Sequence, residues 1–172
     1  MKIYIDADGC PVVDEAISIA KEYELEVIVV KNYAHEIKDD YATIVSVDIS
    51  RDSADFYIAN AIVKGDIVVT QDYGLAAMCL SKEAIPINQN GKLYKQENID
   101  GMLNRRHLHR QLRKQNKFYG KAKKRKFQAD RDFESSLKKV LDENKNCMHL
   151  FLVHFLCCKK CTNTKQKDNS SV

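Results

Sequence analysis

Five short apolar runs rich in β-branched residues, at 2–5, 26–30, 43–47, 66–70 and 84–87, set the strongest limit on how this chain folds. Most of them stop at a polar or acidic residue, and helical patterns lie between most of them. Residues 12–23 carry Val13, Ile17 and Ala20 on one stripe, with Pro11 suited to the first helical position. Residues 53–63 carry Ala54, Ile58, Ala61 and Ile62 at helical spacing behind a capping Asp52, and 75–81 make a shorter helix. Strands alternating with helices predict βαβ units, hence an α/β domain with a mostly parallel sheet covered on both faces. Near-continuous apolar strands, rather than alternating ones, agree with burial on both sides.

From residue 98 the pattern is helical, with Ile99, Met102, Leu103, Leu108 and Leu112 forming an apolar stripe that ends near 116. The glycine- and lysine-bearing stretch FYGKAKKRKF (118–127) reads as a loop, and a final helix over 130–141 has Phe133, Leu137 and Leu141 four residues apart. A chain of 172 residues is expected to make one domain with at most a short appendage. The domain is placed at 1–143, and 144–172 is an atypical, partly disordered tail. No internal repeat is present.

Composition narrows the class. Hydrophobic residues are 44% and charged residues 30%, ordinary for a soluble globular protein. The start MKIYIDADGC has two aspartates within eight residues, unlike a secretory signal. No apolar run approaches the roughly 18–20 residues that span a bilayer. The expected setting is the cytoplasm without a membrane partner, where the six cysteines stay reduced. Net charge is +4, but residues 1–104 hold 9 basic and 18 acidic side chains while 105–131 hold 12 basic and 1 acidic. An acidic body with one basic segment suggests an anionic partner; the plainer alternative is a solvated helix face.

In open parallel sheets, ligands bind beyond the carboxyl ends of the strands. The first strand runs into Asp6 and Asp8, the fourth into Gln71 and Asp72, and the third is followed by Asp48, Asp52 and Asp55. Acids from distant segments are therefore expected on one sheet edge. Two like charges about 4 Å apart repel by roughly 4 kcal/mol at an effective dielectric near 20. Such a cluster either takes up protons or binds a cation. Hard oxygen donors favour Mg²⁺ or Mn²⁺, which can serve phosphodiester hydrolysis. Each acid also has a structural alternative: Asp52 as an N-cap, Asp55 in a capping box, Asp6 and Asp8 as turn residues before a helix.

Five blocks, IDADGCPV (5–12), DISRDSAD (48–55), GDIVVTQDYGLAA (65–77), NGKLYKQENI (90–99) and KFQADRDF (126–133), resemble the YaiI/YqxD family of bacterial proteins over about residues 1–143. That family is similar to PIN-like domains, a three-layer fold class known for metal-dependent ribonucleases with a strand-end aspartate quartet. The resemblance implies Asp6, Asp8, Asp55 and Asp72 as catalytic, metal-holding residues. Gly9, Gln89-Asn90 and the KKRK before Phe127 depart from the family's usual alanine, proline-arginine and glycine-proline.

The basic residues Arg105, Arg106, Arg110, Arg113 and Lys114, followed by Lys123, Lys124, Arg125 and Lys126, are the candidate contacts to a nucleic-acid backbone. Tyr119 and Phe127 offer stacking faces, though Phe127 is also suited to anchor the chain in the core. The resulting expectation is a divalent-metal-dependent nuclease acting on RNA or single-stranded nucleic acid. The alternative is a noncatalytic nucleic-acid-binding protein on the same scaffold. A third reading compares DADG with the DxDGT motif of haloacid-dehalogenase phosphatases, making Asp6 the nucleophile and Asp8 the acid, with Lys82 as the downstream lysine. It lacks the threonine after glycine, where Cys10 stands, and the later acidic pair. Cys10 is read as a packed small residue, and the crowded His149, His154, Cys157, Cys158 and Cys161 as a poor match to paired zinc-ligand motifs.

Overall fold

The computed structural model describes residues 1–8, 10–32, 39–48, 52–114 and 127–162. In chain order the elements are β1 (Ile3–Asp6), α1 (Val13–Glu22), β2 (Val27–Asn32), β3 (Thr43–Val47), α2 (Ser53–Ala61), β4 (Ile67–Val69), α3 (Tyr73–Ser81), β5 (Ile85–Ile87), α4 (Gln96–Lys114) and α5 (Phe127–Thr162). The chain forms two compact units, Met1–Leu137 and Lys138–Val172, with the boundary inside α5. The whole sheet lies in the first.

The five strands pair in parallel in the order β3-β2-β1-β4-β5. The chain steps outward from β1 through β2 to β3, then crosses back by α2 to lay β4 on the other side of β1. The order reverses between β1 and β4. Such a switch point leaves a crevice at the carboxyl ends of the two strands, because the segments leaving them turn to opposite faces.

Alternation along the strands divides the core into two faces. Tyr4, Ile28, Val30 and Val68 point to the side that carries Ala54, Ile58 and Ala59 of α2 and Leu75 and Cys79 of α3. The intervening Ile3, Ile5, Val27, Val29, Ile67 and Val69 are buried on the opposite face, to which α1 contributes Val13, Ala16, Ile17 and Ala20. Burying a side chain of this size contributes about 1.5–3 kcal/mol, so the strands need little help from local propensity. Helix α4 packs on α3 through Ile99, Met102 and Leu103, which meet Tyr73, Ala76, Ala77, Leu80 and Tyr94.

Several local expectations are corrected. Leu108 is 56% exposed, so the buried stripe of α4 stops short of it. Phe127 is 72% exposed rather than a core anchor; Phe133 and Leu137, six and ten residues later, are fully buried instead. Pro11 precedes the cap of α1 instead of opening the helix, because the first helical residue is Val13. Helix α5 extends well past the predicted 130–141, since the sequence through Thr162 holds neither glycine nor proline to stop it. In the second unit Val140 and Leu141 are buried. The predicted loop over 118–126 and the polar end, 163–172, lie outside the described residues.

Candidate functional site

The crevice between β1 and β4 is where the acids gather. Asp6 is the last residue of β1 and is buried. Across the strand pair stands Thr70, completely buried, one residue beyond β4. Its Oγ1 donates a hydrogen bond to Asp6 Oδ2 at 2.8 Å. The same Oγ1 accepts from the backbone N–H of Asp72 at 3.0 Å. One hydroxyl thus fixes a carboxylate on β1 and the chain that leaves β4. The Thr70 carbonyl accepts from Tyr94 Oη at 3.3 Å, and the Tyr94 ring meets Tyr73 edge-on with centroids 5.8 Å apart.

Asp72 is the N-cap of α3. Its backbone is extended (φ −87°, ψ 120°), which turns Oδ1 back to accept from the N–H of Gly74 at 2.6 Å and of Leu75 at 3.4 Å. A Cβ at Gly74 would stand 2.9 Å from Asp72 Oδ1, so a larger residue there would make the capping carboxylate shift. Asp52, by contrast, makes no side-chain cap to α2: its backbone (φ −124°, ψ 14°) is not extended. Asp52 therefore stands at the predicted N-cap position of α2 without making the predicted side-chain bond. Asp8, exposed, uses Oδ1 to accept from the N–H of Asn32 at 3.3 Å, tying the loop after β1 to the end of β2.

Electrostatics reports the convergence directly. Burial, foremost, pushes the Asp6 carboxyl above its ordinary value, and the charges of Asp8 and Asp72 push it the same way. Hydrogen bonds from Thr70 and from the Asp8 backbone oppose the shift without cancelling it. Three acids from two distant segments, Asp6, Asp8 and Asp72, therefore share one field. Asp55 sits in the first turn of α2 and its charge acts on Cys79 of α3, whose buried thiol is pushed up to about 12 mainly by burial. The structure brings Asp6, Asp8 and Asp72 into one electrostatic group.

The donor set is chemically suited to a hard divalent cation: carboxylate oxygens, mutually repelling, at the rim of a sheet. Among the described residues, no group of three or more His, Cys, Asp or Glu side chains is placed so that it could hold a metal ion. Asp8 and Asp72 each accept from a backbone amide, and the charge of each raises the Asp6 carboxyl.

Sequence reasoning missed Thr70, whose only signal is a β-branched hydroxyl closing an apolar strand two residues before an acid. It also passed over Asp66, which is 1% exposed at the opposite edge and accepts from the N–H of Lys2 at 2.8 Å and of Val63 at 3.0 Å. Lys82 lies at that opposite edge too, after the last turn of α3, and donates to the Ala59 carbonyl at 2.5 Å. The phosphatase reading thereby loses its lysine, and its nucleophile Asp6 is buried and bonded to Thr70.

Of the basic residues, Arg105, Arg106, Arg110, Arg113 and Lys114 fall on α4, with Arg105 exposed. Lys123, Lys124, Arg125 and Lys126 lie outside the described residues. No helix among the described residues is long and apolar enough to cross a membrane.

Residues 4–143 match the family model described as "Uncharacterized BCR, YaiI/YqxD family". A UPF0178 protein of Alkaliphilus oremlandii is 52% identical over 84% of this chain and 93% of its own. Another, from Natranaerobius thermophilus, is 46% identical over 85% of this chain and 99% of its own. No solved structure matches.

Proposed function

Because this chain belongs to the YaiI/YqxD family and gathers carboxylates at the switch point of its sheet, we propose that it is a divalent-metal-dependent phosphodiesterase acting on RNA or single-stranded nucleic acid. The observation that carries this reading is the state of Asp6: a buried carboxyl whose nearest charged influences include two further acids, Asp8 and Asp72. Such a grouping is stabilised by a cation and strained without one.

Asp6, Asp8, Asp55 and Asp72 would hold Mg²⁺ or Mn²⁺. The cation, when bound, supplies Lewis-acid activation of water and of the phosphoryl group. The chain's own contribution is positioning. Thr70 holds the Asp6 carboxylate and the Asp72 backbone in one register across two strands. The Gly74 amide keeps Asp72 at the head of α3. Arg105, Arg106, Arg110, Arg113 and Lys114 on α4, continued by Lys123, Lys124, Arg125 and Lys126, would draw the phosphate backbone, with affinity falling as salt rises.

The test is cleavage of a single-stranded RNA panel by the purified protein with and without Mn²⁺. Cutting is expected only with metal, and Asp8→Asn is expected to abolish it while sparing RNA binding. Metal-loaded protein that cuts no member of RNA and DNA panels overturns the catalytic reading.

A noncatalytic nucleic-acid-binding protein is the second reading, favoured by one specific observation: Asp72 already has a structural use as the cap of α3. On that reading RNA binds with or without Mn²⁺, and Asp8→Asn changes nothing.

A further inference from the structure

Phe127 opens α5 and, at 72%, is the most exposed large apolar residue among those described. The Arg131 guanidinium, one turn later, lies 5.0 Å from the ring centroid. At this distance the two make a cation–π pair. Both groups belong to the segment 105–131, which carries 12 basic and 1 acidic side chains.

The pair is rigidly mounted. Phe133 and Leu137, fully buried, fasten the same helix in the first unit. The loop that leaves β5 also presses against it. Asn88 Oδ1 accepts from the N–H of Asn90 and of Lys92, both at 2.9 Å, and Gly91 takes φ +76° at the tip. A Cβ on Gly91 would stand 2.6 Å from the Asp132 carbonyl and 2.6 Å from Ser136 Oγ, so loop and helix approach as closely as a glycine allows. That loop leaves the carboxyl end of β5, and its continuation reaches Thr70 through Tyr94 Oη. The start of α5 is therefore fastened to the sheet edge that carries Asp6 and Asp72.

We infer that Phe127 and Arg131 form a stacking platform for an unpaired base of a single-stranded nucleic acid. The open ring face takes the base, and the guanidinium polarises the ring while adding charge beside the phosphate backbone. A duplex keeps its bases stacked internally and offers this platform nothing, so the pair selects single strands. The inference rests on the nucleic-acid reading given above.

The test is fluorescence anisotropy with labelled single-stranded RNA and the matching duplex, using full-length protein in EDTA so that binding is read apart from cleavage. Phe127→Ala is expected to weaken single-strand binding by roughly tenfold or more, the range of base–aromatic stacking. Duplex binding stays unchanged, Phe127→Tyr restores the loss, and Arg131→Gln loses part of it. Because the ring is exposed, the urea midpoint of Phe127→Ala should match that of the wild type. If wild-type protein binds single strands and Phe127→Ala binds them equally well, the platform is refuted and the nucleic-acid reading stands. If wild-type protein binds neither probe, both fall together.

Discussion

Replacing Thr70 by valine preserves shape and removes one hydroxyl, yet two bonds at the switch point are lost. Thr70 is fully buried, so water does not readily replace them. The first bond, to the Asp6 carboxylate at 2.8 Å, is of the charge-assisted kind that contributes about 1.5–3 kcal/mol. The second, from the Asp72 N–H at 3.0 Å, is neutral and contributes about 0.5–1.5 kcal/mol. Together they predict a loss of about 2–4 kcal/mol at neutral pH for Thr70→Val. Thr70→Ser keeps the hydroxyl and loses only a buried methyl, a loss of about 1 kcal/mol. Urea unfolding of the metal-free protein, extrapolated linearly to water, measures both. A valine variant within about 0.5 kcal/mol of wild type, or a serine variant as weak as valine, would refute the claim that this hydroxyl ties the two strand ends together.

Three further perturbations separate site from scaffold. The Asp6 carboxyl is raised in the folded state, so its stabilising contribution is complete below its unfolded value and is lost as pH rises through the folded one. Asp6→Asn should therefore gain on wild type as pH increases from about 4 toward 7 in metal-free urea titrations; a gap that shrinks with pH contradicts the assigned strain. Gly91→Ala should cost about 2–4 kcal/mol, from positive φ and from a Cβ driven into Asp132 and Ser136, and a neutral urea midpoint would show the loop and helix are not in close contact. Asp66→Asn should cost about 1–3 kcal/mol, because one of the two amides it serves loses its acceptor, while Mn²⁺ affinity measured by calorimetry stays at the wild-type value. A change in that affinity would mean the two sheet edges are not independent.

The strands were legible because fully buried parallel strands leave uninterrupted β-branched runs, and each of the five falls within two residues of its predicted ends. The gathering of Asp6, Asp8 and Asp72 follows from the same logic, since strand order alone carries β1 and β4 to adjacent positions. What sequence does not carry is local backbone geometry. Asp52 and Asp72 precede helices equally well on paper, but only Asp72 has the extended ψ that turns its carboxylate onto the helix amides. Phe127 looks like a core residue by type, and its exposure is decided by the phase of α5, which Phe133 and Leu137 claim for the interior. The signal at Thr70 is weak because a buried threonine ending an apolar strand looks like a valine until its two partners are located in space.

Asp72 offers the sharpest single test of the site, because asparagine caps a helix as well as aspartate but lacks the charge. Calorimetric titration of Mn²⁺ into wild-type and Asp72→Asn protein, with matched urea midpoints as the control for folding, asks whether that carboxylate serves a cation or only the end of α3. The cation-site account predicts saturable binding to the wild type, weakened at least tenfold in a variant of unchanged stability. Equal binding by the two proteins, or none by either, would contradict it.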